Sequence, residues 1–219
     1  MTYYCGNLRK NDTPNTKFPR LHAVILSVIV LILLLAPPIG ASDSEPVLPK
    51  EKYPWHWTIF FGAAFQEHLR DIFTFQARFE DDTYVVGTAL SRDIYQYKHW
   101  FSLELEGQVA NHFGDEADQW EFVGVFIFRY LNFPWNKYVP TSLAFGEGLS
   151  YYTELSQLEL DDSDDATKLT NYLLLELTLG YPSLPQWDVA VRIHHRSGIY
   201  GLISNAGSNY LCAALRYSF

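Results

Sequence analysis

From Trp55 onward the chain alternates apolar and polar residues in stretches of about ten, separated by acidic or turn-forming segments. The pattern is clearest in "FSLELEGQVANHF". Phe101, Leu103, Leu105, Val109 and Phe113 share one parity, and Ser102, Glu104, Glu106, Gln108 and His112 share the other. Side chains alternate sides along a strand, so one face is greasy and the other polar. Eight such segments are predicted, near residues 57–67, 83–96, 100–113, 120–133, 139–154, 168–182, 187–198 and 208–219. None is long enough to cross a bilayer as a helix, which takes roughly 20 apolar residues.

The links between segments suggest how they are joined. "HLRDIFTFQARFEDD", "GDEADQ", "SQLELDDSDDAT" and "YGLISNAG" alternate with the shorter "YQYKH", "PWNKY" and "PSLPQ". Long loops at one end and tight turns at the other are the habit of outer-membrane barrels, and an even strand number returns both ends of the barrel to the same side. The expected fold is therefore all-β: an eight-stranded antiparallel outer-membrane β-barrel over 55–219, with a linker over 42–54. In such a barrel the face code is inverted, apolar outward to lipid and polar into the lumen. Leu173, Leu175, Leu177 and Leu179, flanked by Tyr181, read as an outward band ending in an aromatic girdle. On the opposite parity Glu104, Glu106 and Glu176 have Arg192 and Arg216 to neutralise them.

Two segments break the pattern. "FVGVFIFRYLNF" is apolar on both parities, so Val123, Val125 and Ile127 are expected to fill the lumen. Glu147 shares the outward parity of Leu143, Phe145 and Leu149, a costly place for a carboxylate. The flanking Gly146 and Gly148 predict a bulge that turns it inward.

The front of the chain supports export. Lys17 and Arg20 precede the apolar run Ala23 to Ala36, and "PPIGAS" follows. These match the three regions of a secretory signal, expected over residues 1–41 with cleavage after Ala41; an uncleaved N-terminal anchor is the alternative. Removal would take Cys5 and leave Cys212 as the sole thiol, so no intrachain disulfide is expected. No Cys/His spacing indicates zinc, and no cofactor is expected. The 15 Tyr, 15 Phe and 6 Trp suit interfacial girdles. A net charge of −9 with no basic run argues against nucleic acid as a partner. The ending "NYLCAALRYSF" resembles the C-terminal signal by which the barrel assembly machinery reads outer-membrane strands.

Candidate chemistry lies in "VAVRIHHRSGIY". Val189, Val191 and Ile193 set the outward parity and Arg192, His194 and Arg196 the inward one, so His195 and Ser197 face outward. A hairpin centred near Ile203 would bring Asn209 about opposite Ser197. A serine hydroxyl is a weak nucleophile until an imidazole takes its proton, and a third group fixes the tautomer of that imidazole. His195, Ser197 and Asn209 are the candidate base, nucleophile and orienting group. His194 competes by sequence but points into the lumen, as His112 does.

The elements "HHRSG", "SNAGSNYL" and "LRYSF" resemble the lipid A 3-O-deacylases, acyloxyacyl hydrolase-like outer-membrane barrels that remove an ester-linked acyl chain. The resemblance runs from about Trp55 to Phe219. It implies a serine ester hydrolase acting on lipid A of lipopolysaccharide within outer-membrane lipid, His195 as general base and Ser197 as nucleophile, with no metal required. Two positions depart from the family: Asn209 stands where a carboxylate is usual, and Gly198 where Asn is usual. Backbone N–H groups near Gly198 would then form the oxyanion hole. A catalytically silent structural or ligand-binding barrel and a soluble lipocalin-like carrier are the alternatives.

Overall fold

The computed structural model describes residues 53–66, 78–114, 117–155, 157–162, 166–198 and 207–219. The expected signal segment, and the linker up to residue 52, lie outside the described residues. The strands are β1 (Trp55–Gln66), β2 (Arg78–Tyr97), β3 (Phe101–Gly114), β4 (Ala117–Tyr130), β5 (Thr141–Tyr152), β6 (Leu169–Tyr181), β7 (Leu184–Ser197) and β8 (Gly207–Ser218). A short helix, α1 (Gln157–Asp162), lies between β5 and β6. Each strand pairs antiparallel with the next, and β8 pairs with β1, so the sheet closes without an edge. Trp55 and Phe219 exchange backbone bonds of 3.1 and 2.8 Å at the seam, which sets both ends of the barrel at its short-turn end.

Alternation produces an inside-out molecule. Ser102, Glu104, Glu106, Gln108 and His112 of β3 are buried in the lumen, while Leu105, Val109 and Phe113 are exposed. Around the wall Trp57, Phe61, Phe126, Phe128 and Leu149 are all about half exposed. Exposed apolar surface this extensive would drive association in water, and hydrocarbon is the solvent it suits. At the short-turn end Trp55, Trp100, Trp135 and Trp187 are exposed, in the position of an interfacial girdle.

The lumen is held by charge. Glu104 takes hydrogen bonds from Arg129 at 2.5 Å and Arg216 at 2.9 Å, and Glu176 bridges Arg129 at 2.8 Å and Arg192 at 2.6 Å. Arg192 also reaches Glu106 at 3.1 Å. Each ion has several partners, which offsets the cost of removing it from water. Arg129 joins the set expected from the sequence. Val123, Val125 and Ile127 pack inward with Tyr172 and Leu174, an apolar plug on one side of the lumen.

Two details differ from the sequence reading. The β3–β4 link spans only two residues between the paired Gly114 and Ala117, because Asp118 and Gln119 continue the strand alternation instead of looping out. The link 131–140 is longer than that, so strict long–short alternation fails at this pair of connections. Glu147 is the second correction. No register shift occurs around it in either ladder, and its side chain is exposed on the outer wall. Gly146 and Gly148 serve the lumen instead: a Cβ on either would come within 2.9 Å of the Val125 side chain. Gly146 is small so that Val125 can pack and Gly148 so that the Gly124 carbonyl of β4 can approach where a Cβ would stand, and the carboxylate between them stays outside.

Candidate active site

The last turnings of β7 place two ladder rows on the outer wall. In one, Glu147 of β5 lies opposite Leu173 of β6, Leu173 opposite His195 of β7, and His195 opposite Asn209 of β8. In the next, Leu149, Asn171, Ser197 and Gly207 follow in the same strand order. His195 and Ser197 are half-buried, and the inward neighbours Arg192, His194 and Arg196 have no exposed surface. The parity of β7 therefore continues without a break to its end, and Gly198 is the first residue beyond it.

Asn209 sits two residues along β7 from its expected partner: it opposes His195, and Gly207 opposes Ser197. The pairing centres the β7–β8 connection one residue earlier than the sequence suggested. The outcome is a direct contact, with His195 Nδ1 and Asn209 Oδ1 2.6 Å apart. An amide oxygen only accepts, so Nδ1 carries the proton and Nε2 keeps its lone pair. That is the tautomer a general base needs. Among the described residues no hydrogen bond links His195 to Ser197. The two share a face with backbone positions about 6.7 Å apart along the strand, a gap that the two side chains close when they meet.

Two further polar groups enter this patch. Asn171, directly opposite Ser197, is on the outward parity of β6 yet only 8 % exposed. Its amide is a side-chain donor next to the serine, where Gly198 supplies only backbone. Glu147 is a carboxylate in the same ladder row as His195, across Leu173. The signal for both was a polar residue on an apolar parity; for Asn171 the Leu173–Leu179 ladder obscured it, and for Glu147 the flanking glycines pointed to the wrong cause. His194 and His112 lie in the lumen with Glu121, on the far side of the wall from Ser197.

No family model and no curated relative matches the sequence. Among solved structures the fold is similar to that of the outer membrane enzyme PagL, with a TM-score of 0.51 at 15% identity, over 75% of this chain and 99% of that one. A more distant likeness is to Ail, the attachment invasion locus protein of Yersinia pestis, with a TM-score of 0.24 at 8% identity, over 76% of this chain and 99% of that one. At these identities the likeness concerns fold alone: the chain is a closed, eight-stranded antiparallel barrel of the outer-membrane type.

Proposed function

We propose that this protein is a bacterial outer-membrane esterase that hydrolyses an ester-linked acyl chain of lipid A. The observation that carries the reading is the His195–Asn209 contact on the lipid-facing wall, which leaves Nε2 as a base on the same face as Ser197. A nucleophile on the outside of a membrane barrel meets lipid before anything else. The family resemblance in β7 and β8 and the fold likeness to an outer membrane enzyme support the same assignment.

In the proposed reaction the ester carbonyl settles against Ser197 Oγ while His195 Nε2 turns to the same hydroxyl. His195 Nε2 takes the Ser197 proton as Oγ attacks, and the developing oxyanion is met by the Gly198 backbone N–H and the Asn171 amide. His195 returns the proton to the departing sugar oxygen, leaving an acyl-Ser197. Water, deprotonated by the same Nε2, then releases the fatty acid. Asn209 orients the imidazole but carries no charge, so the imidazolium formed in each step draws on Glu147 across the row. Here Asn209 stands where the resemblance leads one to expect a carboxylate, and the carboxylate in the row is Glu147, on the other side of His195.

A catalytically silent barrel is the second reading, favoured by the absence of a carboxylate in contact with His195 and of a His195–Ser197 hydrogen bond among the described residues. Mass spectrometry of lipid A from cells making the native chain or Ser197→Ala separates the two. The esterase reading expects lipid A lacking one acyl chain only with the native protein. Identical lipid A in both would leave the silent barrel.

A further inference from the structure

The lumen contains a second cluster, distinct from the arginine-braced one. Glu121 Oε2 lies 2.8 Å from His112 Nε2 and 2.8 Å from His194 Nε2, and all three side chains are fully buried. Arg196 is the nearby cation, but it is committed to Glu159 at 3.3 Å and comes only within 4.0 Å of Glu121. Among the described residues Glu104, Glu106 and Glu176 pair with Arg129, Arg192 and Arg216, whereas the ionisable groups nearest Glu121 are the two imidazoles.

The hydrogen bonds around the cluster prepare its atoms to receive a cation. His194 Nδ1 is 3.2 Å from the Tyr172 hydroxyl, whose oxygen also accepts from Gln108 Nε2 at 3.2 Å. That oxygen has two lone pairs and can accept from His194 Nδ1–H as well, and in this tautomer His194 Nε2 holds the lone pair that a metal ligand needs. That Nε2 lies near the carboxylate yet makes no aligned hydrogen bond. Ser150 donates to Glu121 Oε1 at 2.5 Å, which leaves Oε2 for the centre. The Tyr210 ring packs edge-on against both imidazoles, and its hydroxyl has no hydrogen-bond partner among the described residues. The three ligand atoms lie within 4.8 Å of one another.

From this geometry we infer that His112, His194 and Glu121 form a binding site for a divalent transition-metal ion of the zinc class inside the barrel. Two imidazole nitrogens and one carboxylate oxygen are a borderline donor set that suits zinc. Opening the two 2.8 Å edges to about 3.3 Å makes the tetrahedral spacing for ligands at their usual bond lengths. The Tyr172 and Ser150 contacts are the outer-shell bonds that hold ligating groups in place. The ion ties β3, β4 and β7 across the lumen. Cysteine spacing gave no hint of it, because the ligands come from strands brought together only by closure. Being sealed from solvent, the site loads as the barrel folds.

The test is to fold the purified chain from denaturant into detergent with zinc present, remove free metal, and measure bound zinc by mass spectrometry. Heat-dependent gel mobility verifies barrel closure in each sample. The native chain and Ser197→Ala are expected to retain one zinc per barrel, and Glu121→Gln and His112→Asn to retain none. Tyr172→Phe, which keeps the lumen packing but removes the outer-shell acceptor, should bind zinc about 10-fold more weakly. Folding with cobalt should give the visible absorption of a tetrahedral nitrogen–oxygen site. A native barrel that closes but holds no more zinc than Glu121→Gln overturns the inference, and so does a protonated imidazole at His112 or His194 that persists in the presence of zinc. Neither result bears on ester hydrolysis at the outer wall.

Discussion

Replacing Glu147 separates its electrostatic role from its cost to the fold. The carboxylate and His195 sit two ladder steps apart with Leu173 between them, about 9.6 Å at the usual strand spacing. At an effective dielectric of about 20, a negative charge at that distance stabilises an imidazolium by roughly 1.7 kcal/mol. Removing it should slow each step that forms the cation by roughly 20-fold. The same carboxylate lies on a hydrocarbon-facing wall beside Phe126 and Leu149, where an acidic side chain costs on the order of 1 kcal/mol. Glu147→Leu should therefore yield a barrel about 1 kcal/mol more stable and about 20-fold slower, a combination a purely structural residue would not give. Glu147→Gln should show most of the loss in rate with a smaller gain in stability. The assays are fatty-acid release from lipid A vesicles and urea unfolding followed by tryptophan fluorescence in the same lipid. Full activity in Glu147→Leu, or a joint loss of rate and stability, would refute the electrostatic argument.

Asn209→Leu removes the acceptor that fixes the His195 tautomer and should cost about 100-fold in rate with little change in unfolding, whereas Asn209→Asp, which restores a charge at 2.6 Å, should be at least as active as the native chain. Leu105→Arg, on the outer wall, should cost about 2 to 4 kcal/mol in lipid bilayers, measured by urea titration; a neutral result would mean that this face does not meet hydrocarbon. Glu176→Ala leaves Arg129 and Arg192 short of a shared partner and should destabilise the barrel by about 3 kcal/mol in the same titration.

Strand number, closure and the two faces were readable from the chain because parity is a local property, and one polar residue out of place on a greasy row stands out. His195 and Ser197 were found that way. Register is not local. The position of Asn209 opposite His195 depends on how the β7–β8 connection folds, and a shift of one residue in the centre of the hairpin moves its partner by two, from Ser197 to His195. Glu147 shows a different limit, since the glycines around it answer to Gly124 and Val125 on the neighbouring strand, and those neighbours are known only once β4 and β5 are paired. The partnership of His112, Glu121 and His194 needs the whole cylinder closed, for β3 and β7 meet only across its lumen.

The most direct measurement is the release of fatty acid from lipid A by the purified barrel in vesicles, native chain against Ser197→Ala, with both shown to be folded. The account predicts steady release by the native barrel and release no faster than the lipid-only control by the variant. Equal release from both, or none from a folded native barrel, would contradict it.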